Sequence, residues 1–456
     1  MANESTWSSW SGDHECRPER IERPRDHAEL AAAIERAADA ERVVRVAGSG
    51  HSSSDVVMTG GTLVSLDRMD AVLDVDTATG LVRCEAGITL HALSEALWPL
   101  GLGLENLGDI DVQSVGGAMA TGTHGTGERF RNLSSTLHSI EVMLADGSTV
   151  ELSEASDSDG WRAARVSVGA LGVVTAVTIR AVPAFALRSL EQAQPLAEVL
   201  DGLDEILAAT DHFGFFTFPH SPLALTYSYQ RTGDAPEPRS RARAWTEDIL
   251  VTNHGFHLGC HVGRVVPRAI PSMNRLVARL APTAHRINRS HRVFCSPRSV
   301  PFTEMEYAIP REHAREAVLA IRELIERERF PVSFPLEVRF TAGDDAFLSP
   351  ACERDTCFVG VIVFRGLPWR ACFEAFEATM AGLGGRPHWG KRHFRTAEQL
   401  SGDYAHWESF AAVRARMDPD GRFANDYVRR TLVGEEEPAA ALTPAARGEY
   451  RSTRSP

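Results

Sequence analysis

Gly116-Gly117-Ala118-Met119-Ala120-Thr121-Gly122-Thr123-His124-Gly125-Thr126-Gly127 decides the reading of this chain. Glycines alternate there with small side chains around one histidine. Glycine accepts positive φ and lets backbone N–H groups approach an anion closely. A structural turn rarely needs so long a run of small residues. Toward the N-terminus, Ala47-Gly48-Ser49-Gly50-His51-Ser52 is a second glycine segment with its own histidine. A lone Gly-Ser-Gly is an ordinary turn. Taken with the longer run, it predicts two loops cradling one pyrophosphate from both sides, with His51 beside whatever the pyrophosphate carries. Neither segment is a phosphate-binding Gly-x-x-x-x-Gly-Lys-Ser/Thr loop, and neither has the dinucleotide fingerprint after a first strand.

The flanking pattern is β-rich with interspersed helices, not the regular βαβ repeat of a doubly wound sheet. Residues 26–41 read as an amphipathic helix, and the strand Val43–Val46 runs into the first glycine loop. Residues 62–66, 71–76 and 81–86 alternate as strands do, and a helix follows over 89–100. Residues 139–144 and 149–152 flank Asp146-Gly147 as a hairpin. A strand over 177–182 ends at Pro183, a domain boundary. Beyond it, helices over 196–209 and 312–329 alternate with strands over 214–218 and 335–340. Residues 232–243 read as a surface loop and those from 433 as a disordered tail.

Composition narrows the function. The chain has 456 residues, 43% of them hydrophobic, enough for a large core in two or three domains. Its net charge of -13 argues against a nucleic-acid partner. No apolar run approaches the roughly 20 residues of a membrane helix. The start, Met1–Thr6, lacks the basic and apolar regions of a secretory signal. Seven scattered cysteines without a C-x-x-C pair predict reduced thiols in a cytoplasm and no metal site. Oligomeric state is not legible.

Lys391 is the one lysine among 48 basic residues. Arginine replaces lysine wherever positive charge alone matters, whereas a lysine is a compact ammonium with a tunable pKa. Lys391 lies in Pro387-His388-Trp389-Gly390-Lys391-Arg392-His393, dense in polar chemistry, and reads as a functional ammonium. In Leu336-Glu337-Val338-Arg339-Phe340, Glu337 and Arg339 share one strand face. On alternation alone they read as a surface ion pair.

Four motifs occur in order: Gly48-Ser49-Gly50-His51-Ser52, Gly108-Asp109-Ile110-Asp111-Val112-Gln113-Ser114-Val115-Gly116-Gly117, Gly122-Thr123-His124-Gly125-Thr126-Gly127 and His388-Trp389-Gly390-Lys391. Together they resemble the aldonolactone oxidoreductases of the vanillyl-alcohol-oxidase flavoprotein superfamily, which include gulono-, galactono- and arabinono-1,4-lactone oxidases or dehydrogenases and a cousin, alditol oxidase. The resemblance implies an α+β fold. Residues 1–183 would form a two-subdomain FAD-binding domain of the PCMH type. Residues 184–432 would form a cap with an antiparallel sheet flanked by helices, its last stretch, including Phe423–Tyr427, returning to the FAD domain.

By the same resemblance, FAD is bound by Gly48, Ser49, Gly50, His51, Ser52, Gly108, Asp109, Ser114, Gly117, Gly122, Thr123, His124, Gly125, Gly127 and Val173. His51 is joined covalently to the flavin 8α-methyl carbon; the alternative is a backbone-capping histidine beside non-covalent FAD. His124 holds its loop by hydrogen bonds. The Glu337–Arg339 pair becomes substrate- and flavin-facing. Arg339 would balance negative charge gathering at the flavin, and Glu337 would bind substrate hydroxyls and assist proton removal. Lys391 would position the reacting oxygen, with His388 a weaker candidate. The implied reaction is oxidation of the C2 hydroxyl of an aldono-1,4-lactone such as L-gulono-1,4-lactone. The partners are a sugar lactone or polyol and an acceptor, oxygen or an electron carrier. In this family an alanine at the position of Gly108 hinders oxygen, and glycine leaves room for it. The alternatives are an alditol or tailoring-pathway alcohol on the same fold, decided by residues 211–311, and a flavin-binding protein without turnover.

Overall fold

The computed structural model describes residues 6–237 and 254–434. The predicted tail from 435 onward and residues 238–243 of the predicted loop lie outside the described residues. No helix among the described residues is long and apolar enough to cross a membrane.

Strands β1 (Arg20–Glu22), β2 (Val44–Ala47) and β3 (Thr62–Ser65) form a parallel sheet in the order β1-β3-β2. Helix α1 (His27–Asp39) joins the first two. Its N-cap Asp26 accepts from the Glu29 N–H, and Leu30, Ala33, Ile34 and Ala37 are buried at helical spacing. A five-stranded antiparallel sheet has the order β7-β6-β8-β5-β4. Its members are β4 (Val72–Asp76), β5 (Leu81–Glu85), β6 (Leu137–Met143), β7 (Thr149–Ser153) and β8 (Val173–Arg180). Helices α2 (Leu90–Leu97) and α3 (Val115–Ala120) lie between β5 and β6 in the chain. Strand β8 starts four residues before the predicted Val177. Gly172, at φ +145°, turns the chain into the sheet, and Val173 pairs with Met143 at once.

The third sheet has eight strands, all antiparallel, in the order β12-β9-β11-β10-β14-β15-β13-β16. These are β9 (Ala186–Pro195), β10 (His212–Thr217), β11 (Leu223–Thr232), β12 (Ala284–Arg289), β13 (Phe302–Pro310), β14 (Leu336–Thr341), β15 (Thr356–Phe364) and β16 (Arg386–Pro387). The helix predicted over 196–209 is two, α4 (Leu196–Asp201) and α5 (Leu203–Ala209). Gly202 ends one and starts the other, consistent with the entropic cost of glycine inside a helix. Helices α6 (Phe256–Val265), α7 (Ile270–Leu280), α8 (Ala314–Glu328) and α9 (Arg370–Gly382) follow in chain order. Side chains of α4, α5, α8 and α9 share one apolar core with Met305, Tyr307, Val338, Phe340, Val359 and Val361. That packing turns the alternate residues of β13, β14 and β15 toward the opposite face.

Two sets of contacts join the sheets. The Gly127 N–H donates to the Phe340 carbonyl at 2.7 Å, and the Phe340 N–H to Thr126 Oγ1 at 3.1 Å, so the second glycine segment is hydrogen-bonded to β14. At the chain's end, Asn425 Nδ2 donates to the carbonyls of Val56 and Met58. Buried Arg45 donates to the carbonyls of Val56, Val168, Gly169 and Phe423, drawing four distant segments together.

Candidate active site

Gly48 and Ser114 bring the two glycine segments together: a Cβ at Gly48 would stand 2.3 Å from Ser114 Oγ and would force that hydroxyl aside. Between them runs a groove of about 550 Å³ lined by residues 48–52, Gln113, Ser114, Gly116, Gly117, Gly169, Gly172 and Val174, among others. Gln113 Oε1 is buried there without a hydrogen-bond partner among the described residues, an acceptor facing a cavity. Glycine-walled backbone with an orphaned acceptor fits an elongated polar cofactor such as a dinucleotide.

The remaining glycines of the second segment do other work. Gly122, Thr123, Gly125 and Gly127 do not line the groove. A Cβ at Gly125 would strike Asn106 Oδ1 at 2.3 Å, and Gly127, at φ +130°, packs on the Asp211 carbonyl. They let this segment lie against residues 106–108 and the third sheet. The Val173 side chain is in the core, and its neighbours Gly172 and Val174 face the groove. Strand alternation points residue 173 away.

His51 also lines a second cavity of about 580 Å³. Its ring stacks on Trp10, and Nδ1 donates to the Ser49 carbonyl at 3.0 Å. Burial, then the Lys391 charge, lowers its pKa, keeping the ring neutral with a lone pair available. One end of this cavity is polar, with Asp109, Arg298, Glu304, Glu337 and Lys391. The other is apolar, with Phe216, Phe218, Phe256, Met273, Phe302 and Phe334.

The polar end is built by register. Glu306 and Glu337 flank Gly360 across three adjacent strands. A Cβ at Gly360 would stand 3.2 Å from Glu304 Oε1, so the glycine leaves room among three glutamates. Arg339 Nε donates to Glu337 Oε1 at 2.8 Å, and Nη2 reaches Asp109 Oδ1 at 3.2 Å. Arg298 holds the other Asp109 oxygen at 3.3 Å. Gly108 is buried beside them, where a Cβ would stand 3.3 Å from the His124 carbonyl and 3.9 Å from Arg339 Nη1. Lys391 Nζ donates to Glu304 Oε2 at 2.5 Å. Its backbone is fixed by the turn from His388, and that turn is tied to the first glycine segment: the Ser53 N–H donates to the Gly390 carbonyl, and Ser54 Oγ to that of Trp389.

Four carboxylates, Asp109, Glu304, Glu306 and Glu337, thus meet three permanent cations, Arg298, Arg339 and Lys391. Burial would raise Asp109, but Arg339, Arg298 and Lys391 hold it well below the usual range. Burial raises Glu337. Burial, with Glu306 and Glu337 adding repulsion and Lys391 opposing, pushes Glu304 up to about 7. Burial would lower Lys391, but Glu304 and Glu306 raise it, so it stays an ammonium. The surplus negative charge is therefore relieved by a proton on Glu304.

His388 is fully enclosed, and burial pulls it down to about 3. It stays neutral, and its Nδ1 accepts from the Gly390 N–H at 3.0 Å. His124 stacks on Phe358, donates through Nδ1 to the Gly125 carbonyl at 2.9 Å, and reaches Glu306 with Nε2 at 3.4 Å. Ligand atoms of His124, Glu306 and His388 lie within 4.8 Å of one another, the one such group of potential metal ligands among the described residues.

The structure brings Asp109, Glu337, Arg339 and Lys391 to one place beside His51, and adds Glu304, Glu306 and Arg298, to which sequence reasoning gave no role. Glu304-Met305-Glu306-Tyr307 carries the same polar–apolar alternation as Glu337-Val338-Arg339-Phe340, a signal that could have found the two glutamates. Arg298 carries no comparable signal.

Comparison with known proteins matches residues 177–431 to the D-arabinono-1,4-lactone oxidase family and residues 18–153 to an FAD binding domain. The chain is 46% identical to L-gulono-1,4-lactone dehydrogenase of Mycobacterium tuberculosis over 426 residues, 93% of this chain and 99% of that one. It is 34% identical to L-gulonolactone oxidase of Mus musculus, over 93% of this chain and 98% of that one. A solvent-stable cholesterol oxidase has the same fold, with a TM-score of 0.79 at 17% identity, over 93% of this chain and 97% of that one.

Proposed function

Because the chain belongs to the D-arabinono-1,4-lactone oxidase family of FAD-dependent oxidoreductases, we propose that it oxidises the C2 hydroxyl of an aldono-1,4-lactone of the L-gulono-1,4-lactone type. The observation that carries this reading is His51, which borders both the glycine-walled groove and the cavity holding Glu337 and Lys391. Residues 48–52, Gln113, Ser114, Gly116 and Gly117 would hold FAD. When bound, FAD supplies the oxidant, taking the hydrogen from carbon with its electron pair.

The chain's own groups do the rest. Lys391 donates to the reacting hydroxyl oxygen and orients it. Glu337 accepts from a neighbouring ring hydroxyl, and its carboxylate is aimed by Arg339. Arg339 is the fixed positive charge nearest Gly108 and balances negative charge that gathers there. Glu304, bonded to Lys391, exchanges the proton released from the hydroxyl. His388 and His124 brace the surrounding loops.

Anaerobic bleaching of the flavin absorbance against aldonolactones and alditols tests the substrate class. Rapid bleaching by L-gulono-1,4-lactone is expected; bleaching by alditols alone would overturn the assignment. The phenylalanine-rich end of the cavity favours a second reading, an alcohol with a hydrocarbon part, so the panel includes such alcohols.

A covalent tether through His51 is supported by its neutral ring, its fixed orientation on Trp10 and its position between the two cavities. Acid-denatured protein should keep its yellow colour on the polypeptide; release of all flavin into the supernatant would refute the tether. A side chain at position 108 would press on the His124 carbonyl, and the glycine there keeps that crowding away, which is the observation that favours oxygen as acceptor; turnover in air against turnover with an artificial acceptor decides it. Seven free cysteines support a cytoplasmic location.

A further inference from the structure

Helix α6 carries a pair of histidines that the proposed chemistry does not use. His257 and His261 stand four residues apart, one turn along the same face of the helix. Their ring centroids are 4.5 Å apart, and the two Nε2 atoms are 3.0 Å apart. Both rings make edge-to-face contact with Phe364 at the end of β15, at 5.6 Å and 5.1 Å. Phe364 is buried in the apolar core of the third sheet, so close packing fixes this floor. The two imidazoles themselves are half-buried and reachable from solvent.

That spacing has a chemical meaning. Two imidazole nitrogens bound to one first-row ion at about 2.1 Å, at a right or tetrahedral angle, stand about 3.0–3.4 Å apart. The pair already holds its nitrogens at this separation, with one ring donating to the other in place of an ion. Burial, then the positive charges of His261, His254 and Arg264, lowers the pKa of His257 and favours a neutral ring with a lone pair to give. Residues 249–303 contain no aspartate or glutamate. This segment therefore offers nothing to Ca²⁺ or Mg²⁺, which take oxygen ligands, whereas paired neutral imidazoles suit zinc, copper and nickel.

We propose that His257 and His261 form a chelating site for a divalent ion of the Zn²⁺, Cu²⁺ and Ni²⁺ class. On binding, the donor ring moves its proton from Nε2 to Nδ1, so that both Nε2 lone pairs face the ion and no electron changes hands. Water fills the remaining coordination positions. Phe256 and Cys260, in the neighbouring column of α6, line the second cavity, and the two histidines do not. The ion staples the helical turn that forms this part of the cavity wall.

Calorimetric titration of the FAD-loaded protein with Zn²⁺ tests this, and electron paramagnetic resonance of added Cu²⁺ reports the ligands. One ion per chain and coupling to two nitrogens are expected. His257→Gln and His261→Gln should each weaken Zn²⁺ binding about tenfold or more, because a single imidazole loses the chelate. Zn²⁺ should raise the thermal midpoint of the parent and leave that of the double variant unchanged. Neither side chain lines either cavity. Flavin content and far-ultraviolet circular dichroism of the metal-free variants should therefore match the parent and report intact folding. Wild-type protein that takes up no Zn²⁺ would overturn the proposal, as would a Cu²⁺ spectrum with fewer than two nitrogens. An ion held equally well by the double variant would also overturn it, placing the metal elsewhere, the buried His124, Glu306 and His388 included.

Discussion

Lys391 is held at 2.5 Å from a carboxylate that it only partly neutralises, and this pairing governs the chemistry at residue scale. Replacing it with methionine keeps the length of the stem and removes the charge. Lys391→Met should slow anaerobic flavin reduction by about 100-fold or more; an unchanged rate would exclude the ammonium from the reaction. Glu304 responds to pH with a definite sign. Its folded pKa is raised to about 7, so the native state keeps a proton that the unfolded chain loses in the ordinary carboxylate range. The stability contributed by that proton is complete at acid pH and disappears as pH rises through about 7. The midpoint of thermal unfolding should therefore fall over this interval, and Glu304→Gln should flatten the fall.

At the scale of elements, glycines decide how closely backbones approach. A Cβ at Gly48 would lie 2.3 Å from Ser114 Oγ, so Gly48→Ala should turn that hydroxyl out of its place and crowd the groove between the two glycine segments. Purified Gly48→Ala protein is expected to show a much lower ratio of flavin to protein absorbance. Gly360 acts on the substrate side. In Gly360→Ala the new methyl would stand 3.2 Å from Glu304 Oε1 and 3.9 Å from Glu337 Cβ, narrowing the polar end. KM for the lactone should rise about tenfold with flavin content unchanged. The alternation that turns Glu337 and Arg339 to one face was legible in five residues. The glutamates of β13 obey the same alternation, but nothing local says that β13 and β14 lie on either side of β15.

Across the whole molecule, Arg45 is a clamp. It is buried and donates to carbonyls of residues 56, 168, 169 and 423. Arg45→Met would leave these acceptors without their donor, at a cost of about 3 kcal/mol or more. Denaturant unfolding should register that loss, and the flavin should dissociate earlier unless His51 retains it. Local pattern revealed the elements and the two glycine segments, because periodicity and small-residue runs are properties of neighbouring residues. It also marked Lys391 by its rarity. It did not reveal that Gly202 splits one helix into two, since a single glycine is tolerated in many helices.

From its residues alone this chain declared two anion-cradling loops, a strand presenting an acid and a guanidinium, and one singular ammonium, for each is written in contiguous sequence. Tertiary structure alone decided that Glu304 partners Lys391, that Asp109 is gripped by Arg298 and Arg339, and that His257 and His261 meet over Phe364. Those outcomes depend on strand register and helix packing between segments far apart in the chain, which is where burial and charge pairing are settled.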